Sequence, residues 1–173
     1  NEKFKKYFQK KKTILDIGSG TGGLLTYFNK LGHITHGNEP NEKYYKFSRK
    51  FLKNIKNDIF ENLNYKKNYF DVVFIMGSIE HVHNPQLVLD KINKTTKKNA
   101  ILIIDTKGYP SDILNNFFNF NHHRCYTKKT LTSFLEANYW SKQYLQYDIK
   151  YSKSKLNPKN YSNKNKPKKI KKG

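Results

Sequence analysis

Cysteine, arginine and long apolar segments are scarce in this 173-residue chain. Cys125 is its single cysteine, which excludes an internal disulfide and favours a reducing, cytoplasmic location. The longest apolar runs, 72–76 and 100–104, are too short to cross a bilayer, so no membrane span is expected. No apolar segment follows the lysine-rich start of the chain, and a signal peptide is not expected either.

Lysine, in contrast, is abundant. Basic residues number 34 and acidic residues 13, so the formal net charge is +21. Such a charge points to nucleic acid or an anionic membrane as a partner. However, Arg49 and Arg124 are the only arginines, although arginine has the planar donors that nucleic-acid readers use. Lysine rises together with asparagine, tyrosine and isoleucine, as an AT-biased coding sequence would produce. We interpret most of the charge as compositional and keep nucleic-acid binding as an alternative.

Short apolar strands alternate with amphipathic helices between residues 12 and 105, a pattern typical of a parallel sheet covered by helices. The predicted strands are Thr13–Ile17, Ile34–Asn38, 54–59, Phe70–Met76, 100–105 and 139–147. Four helices lie between and after them, with boundaries indicated by capping residues: Gly32, Asn41, Asn84 with Pro85, and Thr127. Their predicted inward side chains are Leu24, Leu25, Phe28 and Leu31; Tyr44, Phe47 and Phe51; Leu87, Val88 and Ile92; and Leu131, Phe134 and Leu135.

Composition changes at residue 150. Residues 150–173 contain ten lysines and no acid, with too few apolar side chains to offset the entropy of ordering. We therefore predict one domain over 1–149 and a flexible tail over 150–173. Within the domain, 108–124 is a long connection, which in compact domains often has a function.

The turn after the first strand is rich in glycine. Gly18, Gly20 and Gly23 fit the G-x-G-x-x-G pattern of dinucleotide sites. Asp16 argues against a dinucleotide, because a carboxylate there would repel a pyrophosphate. It would attract S-adenosylmethionine, which carries a sulfonium and an α-ammonium group and no phosphate.

The stretch ILDIGSGTG at 14–22 resembles motif I of class I S-adenosylmethionine-dependent methyltransferases. GNEP at 37–40 is similar to that family's second strand end, and FDVV at 70–73 with EHVHNP at 80–85 resembles its fourth strand and the segment after it. Residues 122–135 resemble a segment of a small-molecule branch, the type 11/23-like methyltransferases. The resemblance covers about 12–140. It implies a Rossmann-like α/β sandwich, with a mostly parallel sheet of about six or seven strands and helices on both faces.

The resemblance also implies S-adenosylmethionine as the cofactor. Glu39 corresponds to the acid that accepts hydrogen bonds from the ribose hydroxyls, and Asp58 with Ile59 to the segment near the adenine. The residues implied to bind the cofactor are Asp16, Gly18, Ser19, Gly20, Thr21, Gly22, Glu39, Pro40, Asp58, Ile59, Met76 and Gly77.

His81 is the candidate general base, since it follows the fourth strand and imidazole exchanges a proton near neutral pH. A structural contact with the cofactor loop is the alternative. The candidate acceptor-binding residues, in the long connection, are His122, His123, Arg124 and Tyr126. A surface loop closed by aromatic packing is the other interpretation of that segment.

No metal site is predicted. Glu80-His81 resembles part of the E-x-x-E-H stretch through which some methyltransferases, with a later histidine, hold a divalent ion. His122 or His123 could supply that later imidazole. Gly77 stands where the first glutamate would be, and the remaining donors suit a hard ion poorly.

The leading functional hypothesis is methyl transfer to a small polar acceptor, such as a sugar, a lipid precursor or a quinone-like metabolite. One alternative is a nucleic-acid-binding or nucleic-acid-modifying protein that uses the lysine-rich tail. Another is an inactive partner subunit with the same fold, because little apolar sequence remains after residue 147 for a last strand. The sequence predicts no particular oligomeric state.

Overall fold

The computed structural model describes residues 6–106 and 122–141. Most of the connection 108–124, the greater part of the strand predicted over 139–147, and the tail 150–173 lie outside these residues. The backbone divides into two compact units. Among described residues, the larger unit contains 6–106 and 122–124, and the smaller contains 125–141.

A parallel sheet forms the centre of the larger unit. Its strands are β1 (Thr13–Ile17), β2 (Ile34–Asn38), β3 (Ile55–Lys56), β4 (Phe70–Met76) and β5 (Thr96–Asp105). They lie in the order β3-β2-β1-β4-β5, and every neighbouring pair is parallel. The order reverses between β1 and β4, which is the switch point where such sheets bind ligands. The predicted Rossmann-like class is confirmed, with five strands in the part of the chain that the structure describes.

The helices of the larger unit are α1 (Gly23–Lys30), α2 (Glu42–Ser48) and α3 (Pro85–Thr95), and short 3-10 turns occur at Phe60–Asn62 and Ile79–His81. Every residue of β1 is buried, as expected for a central strand covered on both faces. Leu25 and Phe28 of α1 pack with Ile14, Val72 and Phe74 in the core. No helix among the described residues is long and apolar enough to cross a membrane.

The predicted helix boundaries are confirmed. Asn41 and Asn84 accept hydrogen bonds from the first turns of α2 and α3, and Pro85 is the first residue of α3. Gly32 follows α1 with a φ of +86°, the left-handed conformation that ends a helix. In the smaller unit, helix α4 (Lys128–Ala137) begins at Thr127 with a capping box. Its predicted inward side chains are half-buried: Leu131, Phe134 and Leu135.

The predicted buried face of α2 is wrong. The side chains predicted to face the core are about half exposed: Tyr44, Phe47 and Phe51. The buried positions are Ser48 and Leu52, one residue further along the chain. These positions pack on the glycine turn, where a Cβ at Gly22 would lie 3.1 Å from Ser48 Cβ and 2.5 Å from Leu52 Cδ1. So close an approach leaves no room for aromatic rings between the helix and the turn.

Two leucines predicted to be buried are exposed. Leu31 comes after the last residue of α1, where the chain turns away from the core. Leu87 lies in the first turn of α3, and the inward line of that helix is Val88, Leu89 and Ile92. Both errors arise because apolar spacing does not show where the buried arc of a helix is centred.

Candidate active site

The glycine turn connects β1 to α1. Gly18, Gly20 and Gly22 have φ values of +74°, +54° and +79°, a conformation that residues with a Cβ rarely adopt. A Cβ at Gly18 would lie 2.7 Å from that of Ser78, whereas a Cβ at Gly20 would meet nothing within 4 Å. Gly18 therefore permits close packing, and Gly20 faces open space. Thr21 is exposed on the same turn.

The end of β2 holds this turn in place. The carbonyl oxygen of Asn38 accepts from the backbone N–H groups of Gly18 at 3.1 Å and Ser19 at 2.9 Å. Glu39 is buried, and its Oε2 and Oε1 accept from the backbone N–H groups of Gly20 and Asn41, both at 2.7 Å. Because a carboxylate has about four lone-pair sites, Glu39 can accept further hydrogen bonds.

A second buried carboxylate belongs to Asp16, the next-to-last residue of β1. Burial, and then the neighbouring charge of Glu39, raise the pKa of Asp16 from 3.8 to about 7. Its Oδ1 is buried without a hydrogen-bond partner among the described residues, and so is Oδ1 of Asn38. Two acids and an unpartnered acceptor at one strand edge favour a ligand that brings positive charge and hydrogen-bond donors.

The loop after β3 closes the same edge of the sheet. The Asn38 amide donates to the carbonyl oxygen of Asp58 at 3.0 Å, and the Asn57 amide donates to that of Glu39 at 2.8 Å. Asp58 Oδ1 accepts from the backbone N–H of Ile59 at 2.8 Å. These contacts fix Asp58 and Ile59 beside the end of β2, while Pro40 is exposed.

The segment after β4 begins with Met76, which is partly exposed, and Gly77, whose φ is +63°. The Gly77 N–H donates to the carbonyl oxygen of Asp105 at 2.8 Å, tying the ends of β4 and β5. Ser78 Oγ donates to the carbonyl oxygen of Ile17 at 2.6 Å. The segment is thereby joined to both neighbouring strands.

Two histidines and a glutamate meet beyond this point. Glu80 is 3% exposed, and its Oε2 accepts from Thr106 Oγ1 at 3.0 Å. The rings of His81 and His122 lie 4.7 Å apart, close to perpendicular. The N–H of His123 donates to the Glu80 carbonyl oxygen at 2.9 Å, which brings the long connection back to this segment.

The other predicted acceptor residues differ in their surroundings. The Arg124 guanidinium donates to the carbonyl oxygens of Val82 at 2.5 Å and His83 at 2.9 Å, so it holds the backbone after β4. The His123 ring packs on that of His83, with centroids 4.4 Å apart. Tyr126 is buried and belongs to the smaller unit. An acceptor role for these residues stays a prediction.

The structure brings the predicted cofactor residues from the first three strand ends together. It adds residues that the sequence analysis did not single out: Asn38, Ser78 and Thr106. Asn38 was detectable, since it is the last residue of a strand at the ligand-binding edge of the sheet. Ser78 and Thr106 act through contacts with residues distant in sequence, which no local pattern reveals.

A family model described as a methyltransferase domain matches residues 2–150. The chain belongs to this methyltransferase family. The ubiquinone biosynthesis O-methyltransferase of Shewanella sp. (strain ANA-3) is 29% identical over 106 residues, 55% of this chain and 43% of that protein. The probable (S)-tetrahydroprotoberberine N-methyltransferase 2 of Papaver bracteatum is 26% identical over 114 residues, 61% of this chain and 31% of that protein. The chain thus spans less than half the length of both curated relatives.

A solved structure with the same fold is that of a SAM-dependent methyltransferase from Archaeoglobus fulgidus. It has a TM-score of 0.66 and 23% identity, and the match covers 79% of this chain and 64% of that one. S-adenosylmethionine is the cofactor of this methyltransferase fold. The residues present fit it: the unpartnered oxygen of Asp16 suits a cationic ligand, and the open space at Gly20 gives the ligand room.

Proposed function

We propose that this methyltransferase-family chain transfers a methyl group from S-adenosylmethionine to a small polar acceptor, such as a sugar, a lipid precursor or a quinone-like metabolite. The observation that carries the proposal is the buried pair of acids, Asp16 and Glu39, beside a glycine turn. The names of the two curated relatives, an O- and an N-methyltransferase of small molecules, support a small acceptor. The single cysteine supports a reducing, cytoplasmic setting.

The cofactor, when bound, supplies a methyl group already activated by a sulfonium cation. Asp16 would attract the α-ammonium group, and the free lone pairs of Glu39 would accept from the two ribose hydroxyls. Gly22 gives α1 no side-chain cap, so the first amides of that helix can receive the ligand carboxylate. Asp58 and Ile59 would border the adenine. The chain's contribution is then chiefly to align the reactants and exclude water.

The acceptor would bind at the carboxyl end of β4. Met76 and Gly77 begin that region, and the rings of His81 and His122 lie beyond them. His81 is exposed, so it can reach a proton on an acceptor hydroxyl or amine, and it is our candidate for the base. Arg124 would support this region by holding the carbonyl oxygens after β4.

Calorimetry with S-adenosylhomocysteine tests the cofactor site. Glu39→Gln removes the charge and one acceptor, so it should weaken binding by about 1–3 kcal/mol. Glu42→Gln is the matched control, because Glu42 is exposed and pairs with Lys46 on the surface of α2. Binding should be unchanged in that variant. No binding by the unaltered chain, or equal losses in both variants, would refute the site.

Nucleic-acid binding remains the alternative function, and one surface favours it. A basic depression of about 430 Å³ lies beside the edge strand β3, and no acid lines it. Its lining residues are His36, Lys53, Asn54, Ile55, Lys56, Asn64, Tyr65, Lys66 and Tyr69. Lysines beside tyrosine rings are the features with which proteins contact single-stranded nucleic acids.

Binding of a single-stranded oligonucleotide at several salt concentrations separates the two functions. For the alternative, affinity should fall steeply with salt, and Lys53→Glu with Lys66→Glu should weaken it. Deletion of 150–173 shows whether the tail supplies the affinity instead. If methylation of a small acceptor survives both the lysine substitutions and the tail deletion, the result would favour the small-molecule methyltransferase. Weak binding that is indifferent to Lys53 and Lys66 would exclude a role for the basic depression.

A further inference from the structure

We propose that Glu80, His81 and His122 form a binding site for a divalent transition-metal ion of the zinc class. One ligand atom from each of these three residues lies within 4.8 Å of the other two. All three belong to the larger unit, although His122 is 41 positions beyond His81 in the numbering. The fold therefore assembles the group.

The backbone holds the three residues in place. Glu80 and His81 belong to a single 3-10 turn directly after β4, and that turn is bonded to its neighbours through Ser78. The N–H of His123 donates to the Glu80 carbonyl oxygen at 2.9 Å, which positions the preceding residue, His122. The two rings approach at a centroid distance of 4.7 Å and an angle of 72°.

The donor set determines the class of ion. Two imidazoles and one carboxylate are the ligands of catalytic zinc sites, with bonds of about 2.0–2.2 Å and one position left open. In tetrahedral geometry such bonds place the donor atoms about 3.4 Å apart, which is about 1.4 Å closer than the present upper separation of 4.8 Å. Rotation of the two imidazole side chains would provide that movement. The sequence argued against a site for a hard ion such as Mg²⁺, because such an ion needs more carboxylate ligands. That argument does not apply to zinc-class ions, which accept imidazole nitrogen as a ligand.

Electrostatics favour a cation at this point. The Glu80 carboxylate is buried, and its side-chain hydrogen bond comes from the neutral hydroxyl of Thr106. Among the described residues, no lysine or arginine forms an ion pair with Glu80. The nearby guanidinium of Arg124 donates to backbone carbonyl oxygens instead. Burial of a carboxylate is costly unless a positive charge lies beside it, and a divalent ion would supply two such charges. The Thr106 hydroxyl, through its hydrogen bond to the Glu80 carboxylate, would then orient that carboxylate toward the ion.

A metal ion at this site would change the role proposed above for His81 in methyl transfer. This consequence rests on the proposed function. An imidazole nitrogen that binds an ion cannot also accept a proton, so His81 would be a ligand and not the base. The open position would hold an acceptor hydroxyl and lower its pKa, so that its proton would pass to solvent water before the oxygen receives the methyl group. Metal binding itself does not depend on methyl transfer and can be tested alone.

The test uses the full chain without a histidine tag, stripped of metal with a chelator. Zn²⁺ is titrated in competition with a chromogenic chelator, and Co²⁺ provides a visible spectrum as a second readout. We expect one Zn²⁺ per chain. His122→Ala, His81→Ala and Glu80→Gln should each weaken binding at least tenfold, and the Co²⁺ bands of a four-coordinate site should disappear.

His83 and His123 supply the matched controls, since their rings also pack together. His83→Ala and His123→Ala should leave the affinity within twofold. Substoichiometric Zn²⁺, equal losses in these controls, or full affinity in His122→Ala would overturn the proposal. If Glu80→Gln fails to fold by circular dichroism, the two exposed or half-buried histidine variants still decide the outcome. S-adenosylhomocysteine binding by the same samples is measured separately, so failure of the metal site and failure of the cofactor site are distinguishable.

Discussion

Binding of S-adenosylhomocysteine should weaken as the pH falls below 7, because in the proposed site Asp16 must be ionised to attract the α-ammonium group of the ligand. Burial, followed by the charge of Glu39, raises the pKa of Asp16 to about 7 in the ligand-free protein. The bound ammonium would favour the ionised carboxylate. Protonation of Asp16 therefore competes with binding, and the competition grows toward low pH.

The magnitude follows from the fraction of ionised Asp16. With a pKa of about 7, that fraction is about nine-tenths at pH 8 and about one-tenth at pH 6. The dissociation constant should therefore rise about tenfold between pH 8 and pH 6, which corresponds to about 1.4 kcal/mol. Near pH 7 each binding event should also release roughly half a proton.

Isothermal titration calorimetry from pH 5.5 to 8.5 measures this dependence. Titrations at pH 7 in two buffers with different ionisation enthalpies count the released protons. Asp16→Asn is the control: its affinity should be low and nearly flat over this range, because amides do not titrate. A wild-type affinity that stays constant from pH 8 to 6, or an equal slope in Asp16→Asn, would show that Asp16 does not contact the ammonium group.

Two further predictions concern stability. The folded-state pKa of Asp16 is raised from 3.8 to about 7, so its contribution to stability is fully present below pH 3.8 and is lost as the pH rises through about 7. Ligand-free Asp16→Asn should therefore be more stable than wild type at pH 8, by up to about 4 kcal/mol in urea unfolding, with the difference shrinking toward pH 4. In the glycine turn, Gly20→Ala should cost about 1–2 kcal/mol from its positive φ alone. Gly18→Ala should cost about 1–3 kcal/mol more because of overlap with Ser78, and equal thermal shifts would contradict this.

Much of the fold was predictable because its signals are local. Strands β1, β2 and β4 have the predicted bounds, since each is a short apolar segment between turn residues. Helix starts were equally clear, because N-capping is a contact between residues two or three positions apart. Strand β5 begins at Thr96 and not at residue 100, since its first part pairs through an irregular register with β4 that the polar residues there do not indicate.

The orientation of α2 was not predictable in the same way. Tyr44, Phe47 and Phe51 lie on one face, yet the helix buries Ser48. Apolar spacing suggests a buried face only when packing space is unrestricted. Here the neighbouring surface is the turn at Gly22, which admits only a small side chain at the point of contact.

By itself the sequence determined that Asp16, the glycine turn and Glu39 lie together, because they stand at the ends of consecutive strands. Parallel strands place their carboxyl ends at one edge, so strand assignment alone was enough to bring these residues together. Which later histidine meets Glu80 and His81 was decided only by the tertiary structure, which brings His122 to them. That meeting depends on a backbone hydrogen bond between segments more than 40 positions apart, and no periodicity or local propensity encodes such a contact.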